Sequence, residues 1–298
     1  MNGLLIFDKP KDLTSHDMVY QVRKKTNIKR VGHTGTLDPM ATGVLVMCIG
    51  KATKVSDYIL AADKEYIAKI KLGILTDTLD ITGNVLKNDD VLFNKSKIKE
   101  CLENFLGIQE QTPPKYSAIK IKGKKLYEYA REGQDISIPK RKIIIHSIHL
   151  LDFNNKDEIT IKVLVSKGTY IRSLANDIGN YLGTYGTLTN LRRTRSGDFK
   201  IQDALTLEDF KNLNAKQINQ KLLPIDEALK HLQKIDVNPN FYDNIINGQF
   251  YKLNRPYKNN DYRIYCNNFF IGLGEIRIIN GDYYLKIKKR LMGEVWKS

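Results

Sequence analysis

Several features are scarce in this 298-residue chain, and each scarcity removes a class of function. Its three cysteines, Cys48, Cys101 and Cys266, lie far apart and form no CxxC pair. That argues against a disulfide framework and against a cysteine-based zinc site. Of the five histidines only His146 and His149 are close. They fall in the strand-like run "RKIIIHSIHLL", where an offset of three sends side chains to opposite faces, so no metal site is expected there. No apolar run approaches the ~20 residues of a membrane span. The start, "MNGLLIFDKPKD", lacks a basic segment followed by a long apolar one, so a cytoplasmic protein with no membrane contact is expected.

Cofactor signatures are missing too. "GVLVMCIGKAT" carries Gly-Lys, but six residues separate its glycines instead of four, and Ala52 stands where a magnesium-binding Ser or Thr belongs. There is no GxGxxG, HExxH or GxSxG. Nucleotide cofactors, zinc hydrolysis and serine-nucleophile chemistry therefore lack support, and no cofactor or metal is expected.

What the chain has in excess is positive charge. Lys and Arg number 48 against 33 Asp and Glu, a formal net charge of +15. An excess of this size favours a polyanionic partner, nucleic acid above all, against the alternative of a basic drift without purpose. The charge is concentrated. Residues 113–142, "PPKYSAIKIKGKKLYEYAREGQDISIPKRK", hold nine basic side chains, Lys122, Lys124, Lys125 and Arg141 among them, against three acids. Tyr116, Tyr127 and Tyr129 are interleaved with them. Cations can neutralise phosphates while aromatic faces stack on bases, which suits a looped or single-stranded nucleic acid. A solvated lysine-rich helix face is the alternative. A second knot, "LRRTRSGDFK", contains Arg192 and Arg193, and a third, "KIKKR", spans Lys286 to Arg290.

Hydrophobic patterning predicts an α+β protein. "GVLVMCIG" reads as a buried strand, while "EYIAKIKLGIL" and "EITIKVLVSKG" alternate as strands do. "SHDMVYQVRKKTN", capped by Ser15, and "SKIKECLENFLG", from Ser96 to Gly107, read as helices, as does "TYIRSLANDIGNYLG", stopped by Gly183. The elements interleave without a regular βαβ period, which favours a mixed, largely antiparallel sheet. "TLEDFKNLNAKQINQKLLPIDEALKHL" is helical and closes a first domain, residues 1–235. From Asp236 the composition shifts: twelve of the 27 aromatics lie in residues 236–298, in short strand-like runs punctuated by the turns "CNN" and "INGD". A small β-rich second domain is expected there.

One stretch invites a chemical reading. "RVGHTGTLDPMATGVL" places Asp38 between a glycine-rich turn and a buried strand. Pro39 pushes Asp38 into extended backbone. His33, five residues earlier, is close enough to line the same pocket. A structural Asp-Pro turn and a rigid, cleft-facing carboxylate both fit.

The segment "GHTGTLDPMATGVL" resembles the catalytic segment of the TruB family of pseudouridine synthases. Further likenesses follow in order: "FDKPKDLTSHD", "DKEYIAKIKLGILTDTLDITG", "TPPKYSAIKIKGKKLYEYAREG", "SKGTYIRSLANDIG" and "LRRTRSGDF". The resemblance covers nearly the whole chain. It implies conversion of uridine 55 in the tRNA T-loop to pseudouridine, without a cofactor and after flipping of the base. It implies Asp38 as catalytic aspartate, Tyr66 as pocket tyrosine and Arg172 as partner of Asp38. His33 would contact the T-loop, and Tyr170 and Leu191 would help form the substrate site. The basic segment 113–142 would be an RNA-clasping insertion, with Lys122, Lys124, Lys125, Arg141, Arg192 and Arg193 as candidates for the RNA backbone. Residues 236–298 would be a PUA-like RNA-binding module. The T-stem-loop of tRNA is the implied partner, with no obligate protein partner and a monomeric enzyme. Asp12 departs from the family pattern, standing where the N-terminal motif has glycine. A non-catalytic RNA-binding protein or tRNA-folding chaperone, and a related guide-RNA-dependent synthase, are the rival readings.

Overall fold

The computed structural model describes residues 1–291; residues 292–298, the end of the expected second domain, lie outside the described residues. The fold is mixed α/β. A ten-stranded sheet runs in the order Leu205–Thr206, Gly3–Lys9, Thr42–Ile49, Gly186–Ser196, Lys64–Leu72, Glu158–Val165, Arg141–Phe153, Gly107–Gln111, with two short strands alongside. Its pairings are antiparallel except for two: Gly3–Lys9 with Leu205–Thr206, and Gly186–Ser196 with Thr42–Ile49. The sheet is mixed and largely antiparallel.

Period-two patterning decides which side chains meet. In Lys64–Leu72 the inward residues are Lys64, Tyr66, Ala68, Ile70 and Leu72. Thr42–Ile49 is buried on both faces, and its alternation divides two cores. Val44, Val46 and Cys48 pack with Leu4 and Ile6, while Leu45, Met47 and Ile49 pack with Leu5, Phe7 and Met18.

Three local expectations need correction. The helix Ser15–Thr26 is capped by Thr14, not Ser15: Thr14 Oγ1 accepts from Asp17 N and Asp17 Oδ2 accepts from Thr14 N, a reciprocal capping box. Ser15 is buried, and its hydroxyl accepts from Leu37 N at 2.9 Å. The helix expected from Ser96 spans Lys95–Glu103, with Asn94 as its cap, and Gly107 opens the following strand. Third, His146 and His149 do not alternate. A bulge between Ile145 and Ser147 adds one residue, and both histidines are exposed.

Between Gln111 and Arg141 the chain leaves the sheet. It forms a two-stranded hairpin, Lys120–Ile121 with Lys124–Lys125, and a short helix, Leu126–Arg131. Lys122 and Gly123 at the hairpin tip both have positive φ.

A second, five-stranded sheet is ordered Lys234–Asp236, Asp261–Cys266, Phe269–Ile279, Asp282–Arg290, Tyr251–Lys252. The expected turns are its two hairpin tips: Asn267 and Asn268, then Asn280 and Gly281, all with positive φ as primed turns require. Leu273 and Leu291 share a core with Leu4 and Val46 of the large sheet. Tyr58 donates to Asp261, and Lys289 Nζ to Lys54 O, across the same junction. No helix among the described residues is long and apolar enough to cross a membrane.

Candidate active site

Asp38 sits in the loop between Val31–His33 and Thr42–Ile49, and neighbouring chain pins that loop at several points. Leu37 N donates to Ser15 Oγ, Ala41 N to Asp38 O, and Asp12 N to Pro39 O at 2.8 Å. Beneath it lies Lys9, fully buried, whose ammonium donates to the carbonyls of Pro10, Leu13 and Pro39. Burial pushes its pKa down to about 8, opposed chiefly by Asp12 and Asp38. Asp12 has φ 67°, the left-handed region. Aspartate is among the few side chains that enter it at modest cost, so the turn survives without the family's glycine. Gly43 is needed as glycine: its φ is 108°, and a Cβ would stand 2.2 Å from Arg193 O.

Arg172 faces the carboxylate from the first turn of the helix Ile171–Tyr181. Its Nε lies 3.0 Å from Asp38 Oδ2 and its Nη2 3.3 Å from Oδ1, a bidentate approach. The guanidinium is itself over-determined. Nη1 donates to Thr78 O, Nη2 to Tyr116 O, and Asp80 Oδ2 is 3.6 Å from Nη1. Asp80, also buried, accepts from the hydroxyls of Thr78 and Thr82 and from Thr82 N. The start of the helix is clamped by Gln111, which donates to Tyr170 O and accepts from Tyr170 N.

A cleft of about 520 Å³ opens over Asp38, a volume within the usual range for small-ligand sites of about 300–1,000 Å³. The fold brings Asp38, Tyr66, Tyr170, Arg172 and Leu191 together in its wall. Tyr66 and Leu191 are buried, so each offers the cleft an apolar face. Burial raises the pKa of Asp38; Arg172 opposes the rise and Asp80 adds to it. The result is a half-buried carboxylate held against a buried cation. Such a group is suited to nucleophilic or base chemistry, with the cation favouring its ionised form. No cluster of His, Cys, Asp and Glu among the described residues is arranged to hold a metal ion. A larger cavity, about 680 Å³, lies beyond Tyr116, but its carboxylates Asp77, Asp135 and Asp177 suit neither a phosphate nor a catalytic pair with Arg172.

Other candidates fall elsewhere. His33 does not line the cleft, whose wall begins at Gly35. It is half-buried, and burial first, then Arg193 and His16, lowers its pKa. Arg193 is 1% exposed and donates to Val44 O and Gly35 O, so it cannot serve as a contact for an RNA backbone. It lies in the cleft wall and anchors the Gly35 turn there. Its neighbour Arg192 points to the other face of the strand, where it grips Asp8 through both oxygens. In the insertion, Lys122 is exposed at the hairpin tip and Arg141 is exposed at the start of its strand. Lys124 pairs with Glu132 and stands over the Tyr129 ring, and Lys125 donates to Tyr127 Oη.

Sequence reasoning missed Lys9, Lys64, Asp80 and Gln111. Lys64 lines the cleft and caps a helix end by donating to the carbonyls of Ile59, Leu60 and Ala62. Burial lowers its pKa to about 8. The buried alternation of Lys64–Leu72 already placed Lys64 on the inward face, which was the available signal.

Comparison with known proteins identifies the family. Residues 23–171 match the family model described as TruB family pseudouridylate synthase (N terminal domain). Residues 172–230 match that of the tRNA pseudouridylate synthase B C-terminal domain. The chain is 43% identical to tRNA pseudouridine synthase B of Alkaliphilus oremlandii (strain OhILAs), over 98% of this chain and 99% of that one. It is 45% identical to the protein of the same name from Staphylococcus aureus (strain JH9), over 85% and 86%. Among solved structures it is similar to a chain of a Cbf5-Nop10-Gar1 complex, with a TM-score of 0.75 and 26% identity, covering 99% of this chain and 86% of that one. By its sequence along nearly its whole length, and by its fold, the chain belongs to the TruB family of pseudouridylate synthases.

Proposed function

We propose that this protein isomerises uridine 55 in the T-loop of tRNA to pseudouridine, with Asp38 as the catalytic carboxylate. The observation that carries this reading is the Asp38–Arg172 pair in a nucleoside-sized cleft of a TruB-family chain. The reaction breaks the N1–C1′ bond and makes a C5–C1′ bond; C5 loses a proton and N1 gains one. No electrons are gained or lost, and no group is transferred to a second molecule.

A stacked base must first leave the helix, at a cost of a few kcal/mol. The uracil enters between Tyr66 and the apolar wall at Leu191, while Tyr170 closes the side. Asp38, kept ionised by Arg172 against the effect of burial, attacks at the ribose C1′ or the base C6, or assists departure of uracil through a glycal. Tyr66 stacks on the uracil and stands ready to help remove the C5 proton. Residues 1–235 form the catalytic domain, with the insertion at about 113–142. Residues 236–298 form a PUA-like RNA-binding domain. Lys122, Lys124, Lys125 and Arg141 meet the phosphates of the T-stem, and His33 contacts the loop outside the cleft. The enzyme works as a cytoplasmic monomer.

The structural neighbour comes from a complex with Nop10 and Gar1. Against a partner-dependent reading stands the 43% identity to tRNA pseudouridine synthase B over nearly the whole of both chains. The deciding experiment uses the purified chain alone and a T-stem-loop labelled with tritium at C5 of the target uridine. Release of tritium to water is expected. No release from either the stem-loop or full-length tRNA overturns the reading.

A further inference from the structure

Ser117 is buried, 6% exposed, and belongs to the wall of the Asp38 cleft. Its Oγ makes no well-aligned hydrogen bond; its polar neighbour is the Tyr170 phenol, also in the cleft wall, whose burial-driven rise in pKa a contact with Ser117 partly offsets. Two neighbouring hydroxyls in the same wall are engaged: Thr169 donates to Ser166 O, and Ser166 Oγ accepts from Ile144 N. Buried polar groups are rarely left without a partner, and one that is needs a reason.

The backbone around Ser117 is held firmly. Tyr116 O accepts from Arg172 Nη2, the same nitrogen that approaches Asp38 Oδ1. Ser117 N donates to Lys115 O, and Ser117 O accepts from Tyr127 N. The hydroxyl is thus carried by the insertion but registered to the catalytic ion pair through one intervening peptide. A serine hydroxyl rotates freely and can donate or accept.

Resting on the isomerase reading, we propose that Ser117 is a positioning residue whose hydroxyl donates to a carbonyl oxygen of the extruded uracil and holds the detached base while it reorients. The symmetry of uracil makes one donor sufficient. Half a turn about the axis through N3 and C6 exchanges N1 with C5 and, at the same time, O2 with O4. A donor that meets one carbonyl in uridine therefore meets the other, at the same place, in pseudouridine. It need not move while the glycosidic bond is broken and remade.

The test compares wild type with Ser117→Ala and Ser117→Cys in single-turnover assays on a T-stem-loop carrying uridine, 2-thiouridine or 4-thiouridine at the target. Ser117→Ala is expected to slow the uridine reaction about 10- to 100-fold, with stem-loop affinity changed less than about three-fold. Ser117→Cys, a poorer donor of similar size, falls between. Because sulfur is a weak acceptor, the Ser117→Ala penalty should shrink to less than about three-fold on at least one thio-substrate. Thermal midpoints should fall by no more than about a degree or two, since the free enzyme loses only a poorly aligned contact with Tyr170. A rate within two-fold of wild type on uridine, an equal penalty on all three substrates, or a rate loss matched by a larger fall in thermal midpoint each overturns the proposal. An inactive wild-type chain overturns the isomerase reading itself, and this inference with it.

Discussion

The floor of the cleft and the insertion above it use the same cationic residues in opposite ways. On the floor, Lys9 and Lys64 are buried and each is satisfied by three backbone carbonyls, while Arg172 binds two carbonyls and the Asp38 carboxylate. In the insertion, Lys122 is exposed, and Lys115 pairs with Asp135 at the surface. Exposed pairs contribute about 0–1 kcal/mol and exchange readily for another anion. Buried cations cannot exchange, because leaving their acceptors or their charge unmet is costly. Charge fixed by the backbone defines a reaction geometry; charge left at the surface is available to phosphate.

Five variants probe this contrast, in order of expected effect. Asp38→Asn should abolish C5 tritium release while tRNA affinity stays within a few fold; substantial turnover would remove Asp38 from the chemistry. Arg172→Met should lower kcat/KM by about 100- to 1,000-fold, the loss of one charge-stabilising contact in a desolvated site. It should also move the acid limb of the pH–rate profile upward. Arg172 opposes the raised pKa of Asp38, so removing it raises that pKa further, and the ionised form disappears at a higher pH. Asp80→Asn should shift the limb the other way, because Asp80 adds to the rise.

Lys9→Met should destabilise the fold by about 2–3 kcal/mol, seen by chemical denaturation, since three carbonyls lose a charged donor. An unchanged midpoint would mean water replaces the ammonium. The smallest effect belongs to the insertion. Replacing Lys122, Lys124 and Lys125 with Gln should weaken tRNA binding and reduce the slope of log affinity against log salt by about one to three. The lower figure applies if Glu132 and Tyr127 keep Lys124 and Lys125 from phosphate. An unchanged slope would place this cluster facing solvent.

Much of the fold was legible because its signals are local. Alternation marked Lys64–Leu72 and Glu158–Val165, and the "CNN" and "INGD" turns marked the hairpins of the second sheet. Where local signals misled, a neighbour in sequence or space was responsible. Ser15 has the chemistry of a cap, but Thr14 takes the role through its reciprocal bonds with Asp17, and the Ser15 hydroxyl is claimed by Leu37. One bulged residue undid the predicted opposition of His146 and His149. Asp38, Tyr66 and Arg172 were legible through motifs alone, since 134 residues separate Asp38 from Arg172 and no spacing argument reaches so far. Asp80, Gln111 and Ser117 carry no local signal, because their roles depend on what the fold places beside them.

Arg192 and Arg193 show where the boundary lies. The sequence by itself determined that both belong to a basic segment; the structure makes that segment a strand, whose consecutive residues face opposite ways. The sequence also determined the extended backbone before Pro39. Only the tertiary structure decided that Arg192 turns toward Asp8, while Arg193 enters the core to hold the Gly35 turn. Backbone preference is written residue by residue. Whether a charge ends in water, on a carbonyl or on a carboxylate depends on which strands become neighbours, and that is settled only when the whole sheet closes.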